Sequence, residues 1–276
     1  MKALHSLWSE PSFADNPYYM EDFEILTMII SAMTWKKHNG IVKMIADEKI
    51  LQYLDSFHLL SVYDEVQELI ITEKINPKTF WAAGKLFALL QQTEPYVMID
   101  TDFIVWKNID KFIHSDIVVA HRENFTPVYP DFNYFKMDEK YKFNYGFDRS
   151  VLPCNTAFLY IKDGLFKNYY LSESINFMRH CLETENDLCS MVFAEQRLLG
   201  MCAEQWSIPV GTLMNESELD IQKSFTHIWG YKEVLRKNNI KKHEFCLKCA
   251  ERIKKDFPDI IEILVTIPQI SEYFSV

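Results

Sequence analysis

Asp100 and Asp102, separated by Thr101, follow directly on the apolar run Tyr96-Val97-Met98-Ile99. In an extended chain two such carboxylates share a face. There they repel, and both stay ionised only if a cation or a set of donors lies between them. All-oxygen ligands suit a hard divalent ion such as Mg or Mn. The chemistry this pair offers is therefore the holding of a metal together with a phosphate-bearing ligand.

The elements that must position the pair follow from the apolar pattern. The run before Asp100 is bounded by Pro95 and reads as a buried strand. In open α/β sheets ligands bind outside the carboxyl ends of strands, which is where the acids would stand. Residues 2–8 read as a first strand ending at Trp8, and Ser9-Glu10-Pro11 then begins a loop on the ligand face. A helix over 21–35 is stopped by Asn39-Gly40, a strand over 41–46 ends at Asp47, and a short helix runs from 47 to 54. A short strand is expected over 59–62 and a helix carrying Lys85 over 78–91. Beyond the acids come a strand over 117–120, a long aromatic loop over 125–147 and a strand over 155–161 that begins at Asn155. Helices over 165–182 and 188–201 follow, the second holding Glu195-Gln196. The segment Phe225-Thr226-His227-Ile228-Trp229-Gly230 precedes a last helix over 233–257. Strands alternating with helices predict an α/β fold with a mainly parallel central sheet. We expect one catalytic domain over 1–232, with a helical extension over 233–276 packed on it.

Composition limits the partners. With 276 residues, 48% apolar, the chain can bury a large core. A formal net charge of −10 and a pI near 5.3 argue against a nucleic-acid surface, which needs clustered Lys and Arg. No apolar run reaches the roughly 20 residues of a spanning helix and the first residues lack a signal-peptide core, so a cytoplasmic location is expected. The six Cys are irregularly spaced and read as reduced thiols.

In content and order these motifs resemble the GT-A glycosyltransferases, especially the glycogenin-like and lipopolysaccharide galactosyltransferase-like group. The strand ending in Asp-x-Asp comes first, then the Asn-led strand, the acidic-Gln pair on a helix and a late His-x-x-Gly. The resemblance covers roughly residues 1–232. It implies a nucleotide-sugar transferase using Mn²⁺ or Mg²⁺, with a UDP-sugar as donor and a glycan-type hydroxyl acceptor. It places Asp100, Asp102 and His227 on the metal, and Asp100 on the donor ribose as well. It places Asn155 on the donor sugar, and Glu195 and Gln196 at the reacting anomeric carbon and the acceptor. Trp8, Asp47, Lys85, Thr101 and Lys232 are further candidates for holding the donor. The sequence departs from the family in two respects: Lys232 comes one position earlier than the Lys of a His-x-x-Gly-x-x-Lys pattern, and Lys85, on the helix before the acids, is not in clear register with the basic residue usual there. Nucleotide-sugar cleavage leaves a diphosphate of growing negative charge that a metal stabilises as a Lewis acid. An inverting enzyme would also need a base for the acceptor hydroxyl, for which Glu195 is the candidate.

Blander readings stand beside these. Asn155 could cap a turn after Pro153, Glu195-Gln196 could be an exposed helix pair, and the loop aromatics could either stack on a sugar or pin the loop to the core. His243, Cys246 and Cys249 have part of a zinc spacing but lack a fourth ligand, so helical thiols packed under the tail are expected. Two other functions use the same acids: a non-catalytic nucleotide-sugar-binding protein, and a haloacid-dehalogenase-like phosphatase with Asp100 and Asp102 as nucleophile and acid. The phosphatase pattern lacks its Gly-Asp motif here, and about a hundred residues precede the acids.

Overall fold

A computed structural model describes residues 1–182 and 185–274. The strands are β1 (Ala3–Leu7), β2 (Val42–Ala46), β3 (Glu65–Glu68), β4 (Val97–Ile99), β5 (Phe103–Val105), β6 (Ile117–Arg122), β7 (Cys154–Ile161), β8 (Val210–Thr212) and β9 (Phe225–His227). The helices are α1 (Glu10–Phe13), α2 (Asp22–His38), α3 (Glu48–Ser56), α4 (Ala83–Leu90), α5 (Gly164–His180), α6 (Asp187–Val192), α7 (Leu198–Gln205), α8 (Tyr231–Lys237), α9 (Asn239–Asp256) and α10 (Ile261–Leu264). Among the described residues no helix is long and apolar enough to cross a membrane.

Seven strands form one mixed, mainly parallel sheet in the order β3-β2-β1-β4-β7-β6-β8. β1 runs parallel to β2 and to β4, while β7 is antiparallel to both β4 and β6. Side chains of successive residues leave a strand on opposite faces, and the core divides accordingly. Val97 and Ile99 join α2 and α9 on one face; Met98 joins α4, α5 and α7 on the other. Burying each such side chain stabilises the fold by about 1.5–3 kcal/mol. Helix α2 is apolar nearly all round because the sheet, β5 and α9 enclose it. A capping box between Glu21 and Glu24 starts it.

Several expectations are corrected. Residues 59–62 form a 3₁₀ turn entered through His58 in the left-handed region at φ 56°, and the strand comes later, as β3. The helix expected from 78 begins at Ala83, after a turn. The strand before the acids stops at Ile99, so Asp100-Thr101-Asp102 is a turn and strand alternation does not orient it. The helix expected over 188–201 is split by a π-helical turn, Phe193–Arg197. The tail helix breaks at Asn238, whose side chain caps α9 by accepting from Lys241 N. α8 to α10 pack on the α2 side of the sheet, and positions 275 and 276 of the expected extension lie outside the described residues. β8 has no counterpart in the sequence reading. Cys246 and Cys249 are buried in the core, and the His243 ring packs at 5.3 Å from that of Tyr273.

Candidate metal and donor site

The site begins where the central strand β4 ends. Asp100 N donates to Ala157 O and Phe103 N to Asp100 O, both at 2.9 Å, which closes the turn and sends the chain into β5. β5 does not join the large sheet. It pairs antiparallel with β9 in a two-stranded ribbon whose register sets Phe103 opposite His227. That register brings the imidazole to the acids: His227 Nε2 is 3.6 Å from Asp102 Oδ2 and 3.9 Å from Asp100 Oδ2. One ligand atom from each of the three residues fits within a mutual spread of 4.8 Å, the one such group of three or more His, Cys, Asp or Glu found among the described residues.

Two ammonium groups flank the acids. Lys85 Nζ, from α4, lies 2.7 Å from Asp100 Oδ1 and 2.5 Å from Glu195 Oε1, and donates to Thr156 O at 3.2 Å. Burial disfavours its charge, but the Asp100 and Glu195 carboxylates outweigh that and raise its pKa. Burial likewise works against the charge of Asp100, and the Lys85 ammonium holds its pKa below the ordinary carboxylate value. Lys232 Nζ stands 2.9 Å from Asp102 Oδ2, yet outside hydrogen-bonding angles, leaving that buried oxygen without an aligned partner. Burial lowers the pKa of His227 despite the two acids, so the imidazole is neutral and able to coordinate. Two carboxylates, a neutral imidazole and a buried oxygen lacking an aligned donor fit a hard or borderline divalent ion.

A cleft of about 400 Å³ opens over this group. Of the candidates named from the sequence, Trp8, Lys85, Asp100, Thr101, Asp102, Asn155, Glu195, Gln196, His227 and Lys232 all line it. A neighbouring cavity of about 660 Å³ shares Trp8, Thr101, Asp102 and Lys232. Lys232, offset by one position in sequence, still reaches Asp102 from the first turn of α8. Asp47 lines neither space. Its carboxylate accepts from Ser9 N at 2.6 Å and from Ile50 N at 3.1 Å, so it caps α3 and ties down the loop after β1. Glu195 and Gln196 lie in the π-helical turn, a distortion often found where a helix presents functional groups, and Tyr170 hydroxyl donates to Glu195 O at 2.7 Å.

Two residues of the site were not foreseen. Glu123, just past the end of β6, accepts from Asn155 Nδ2 at 2.6 Å, and Tyr129, from the long loop, bonds both Glu123 and Gln196. The only sequence signal for Glu123 is an acid at a strand end, and for Tyr129 only its place among the aromatics of the 125–147 loop. Trp81, Leu188 and Trp229 add apolar walls to the cleft. Trp229 holds a left-handed backbone at φ 22°, which side chains rarely adopt. The other aromatics of the 125–147 loop divide in role. Phe132, Phe135, Phe143 and Phe147 pack with Phe177 and Phe193 and pin the loop, while Phe125 and Tyr145 are exposed.

A model described as "Family of unknown function (DUF6734)" matches residues 1–267. No curated protein matches the chain. Solved structures to which it is similar include HddC from Yersinia pseudotuberculosis, at 10% identity over 82% of this chain and 93% of that one, TM-score 0.43. The PaToxG glycosyltransferase is 12% identical over 99% of this chain and 85% of that one, TM-score 0.41. The glycosyltransferase GlyE of Streptococcus pneumoniae TIGR4 is 12% identical over 71% of this chain and 44% of that one, TM-score 0.37. These likenesses are loose, and the site's own geometry has to carry any functional reading.

Proposed function

The chain belongs to the DUF6734 family of unknown function, and we propose that it is a metal-dependent glycosyltransferase that moves a sugar from a nucleotide-diphosphate donor, a UDP-sugar, to a hydroxyl of a glycan-type acceptor. The observation that carries this reading is the convergence of Asp100, Asp102 and His227 in a cleft bordered by Lys85 and Lys232. The three would hold Mn²⁺ or Mg²⁺, which, when bound, supplies Lewis-acid stabilisation to the leaving diphosphate. The remaining work falls to the chain itself. Lys232, paired with Asp102 and about a third exposed, offers an ammonium to the phosphates. Lys85 is fixed by two carboxylates and a carbonyl, so it orders the floor of the cleft. Asn155, with its carbonyl on Ala157 N and its amide on Glu123, has one N–H left for a sugar hydroxyl. Glu195 and Gln196 face the position of the anomeric carbon and the incoming hydroxyl, with Glu195 as the group that would take the acceptor proton in an inverting reaction. Trp8, Trp81 and Trp229 line the cleft and, closed over a bound donor, would keep water from a centre whose product would otherwise be the free sugar.

The test is a melting-temperature screen of nucleotide-sugars with and without Mn²⁺, followed by measurement of nucleotide release. A ligand that binds only the native state raises the melting temperature by mass action. A Mn²⁺-dependent rise with a UDP-sugar and release of UDP is expected. Absence of any such rise across the panel refutes the reading, and hydrolysis of a simple phosphomonoester would replace it with the phosphatase one.

A further inference from the structure

Glu123 stands between two donors. Asn155 Nδ2 donates to its Oε1 at 2.6 Å, and the Tyr129 hydroxyl donates to its Oε2. The same Tyr129 oxygen lies 2.6 Å from the carbonyl oxygen Oε1 of Gln196. Both Asn155 and Tyr129 are buried and Glu123 and Gln196 are half-buried, which limits competition from water for these bonds. The polarity of the series is set at one end by a group that cannot be reversed. Ala157 N–H donates to Asn155 Oδ1 at 3.1 Å, so Asn155 turns its NH₂ to Glu123. A carboxylate only accepts, and a phenol has a single proton. Tyr129 gives that proton to the carboxylate, the charge-assisted and stronger bond, so none remains for Gln196 Oε1, and the contact becomes a hydrogen bond only when the amide turns end for end and donates its NH₂ to the Tyr129 oxygen. Burial, and then the bond to Glu123, push its pKa up, so the proton stays in place.

We propose that Glu123 and Tyr129 are positioning residues that orient the Gln196 amide, holding its NH₂ end on Tyr129 and presenting its carbonyl oxygen to the cleft. The two ends of an amide have nearly the same shape, and only the hydrogen bonds decide which faces where. The difference is chemical. Departure of a diphosphate builds positive charge at the anomeric carbon, which a carbonyl oxygen stabilises and an N–H opposes. This inference rests on the glycosyl-transfer reading, for which Gln196 lines the reacting cleft.

Glu123→Gln is the discriminating variant because it keeps shape and the number of hydrogen bonds while reversing the series. Its new NH₂ would donate to Tyr129, whose proton would pass to Gln196 Oε1, and the Gln196 NH₂ would then face the cleft. With UDP-glucose and UDP-galactose as probes in Mn²⁺, we expect kcat for UDP release to fall at least tenfold. KM for the donor should change less than twofold and the melting temperature hardly at all. Tyr129→Phe should lower kcat in the same way, and Glu123→Gln should add nothing further in a Gln196→Ala background. A merely structural pair would act additively in that cycle. Independently of turnover, the ¹⁵N side-chain amide signals of Gln196, identified by their loss in Gln196→Ala, should move in Glu123→Gln. Wild-type kcat in Glu123→Gln, or unmoved Gln196 amide signals, overturns the proposal. If the wild type turns over no nucleotide-sugar of the panel, the glycosyltransferase reading fails, while the amide signals still decide the orientation.

Discussion

Lys232 Nζ lies 2.9 Å from Asp102 Oδ2, the same oxygen that His227 Nε2 approaches to 3.6 Å. A buried carboxylate is costly without a compensating charge, and Lys232 supplies one from the rim of the cleft, where it is about a third exposed. A divalent ion taken up by Asp102 competes with that ammonium. Lys232→Met should therefore bind Mn²⁺ alone more tightly than wild type, yet bind Mn²⁺ with UDP less tightly, because the phosphates lose a cation. The metal-free variant should lose about 1–2 kcal/mol of stability, reduced from the fully buried case by solvent at Lys232. Calorimetric titration with Mn²⁺, with and without UDP, reads both signs.

Asp102→Asn should abolish metal-dependent turnover, by about 10²–10³-fold, and leave the fold intact. The amide keeps the shape, removes the ligand charge and relieves repulsion from Asp100. Circular dichroism and UDP release on the same preparation check it, and unchanged metal dependence would refute the assignment of Asp102.

His227→Ala should weaken Mn²⁺ and UDP binding together, by about 10–100-fold. Burial lowers the His227 pKa, so proton competition for the ring begins below the usual imidazole range. Metal affinity in wild type should accordingly hold level from pH 8 to about 6.5 and fall only at lower pH. Wild-type affinity in the variant would make His227 a packing residue of the ribbon.

His5 controls acid stability. Ser31 donates its proton to Phe103 O at 2.6 Å, so it accepts from His5 Nε2 at 3.1 Å, and Nδ1 accepts from the Tyr63 hydroxyl at 2.9 Å. Burial pushes the His5 pKa down to about 3. The unfolded chain, with an imidazole pKa near 6.5, binds the proton first, so stability is full above about pH 6.5 and falls as the pH drops toward 3. The slope from this group is at most about 1.4 kcal/mol per pH unit. His5→Gln should flatten the pH dependence of the melting temperature over that window; an unchanged profile would show that other groups set it.

The acids, the strand before them and the enclosing α2 were legible because each is a local pattern. An apolar run ending in two carboxylates and a long apolar helix closed by Asn39-Gly40 need no distant information. The turn at Asp100-Thr101-Asp102 was not legible, since an unbroken apolar-acidic-apolar stretch looks like one strand until Phe103 is seen pairing with His227. Residues 59–62 misled for the opposite reason: a short apolar run ending in β-prone Val62 was overruled by the left-handed turn at His58. Lys232 was offset from the family spacing but is delivered by the start of α8, which sequence alone does not orient. Asp47 followed the right rule, an acid at a strand end, but its oxygens are taken by Ser9 and Ile50. Glu123 and Tyr129 meet only through the path of a long irregular loop, which leaves no periodic trace.

The ribbon of β5 and β9 joins the residue after Asp102 to His227, which follows Asp102 by 125 positions in the chain. During synthesis the two acids leave the ribosome long before the imidazole exists, and β5 has no strand to pair with until Phe225 has emerged. Assembly of a three-ligand site would then report that the chain has been made through β9. A chain terminated anywhere before β9 would keep its acidic turn but lack both His227 and the strand that seats it, so metal-dependent protection from proteolysis would separate chains that reach β9 from those that stop short of it.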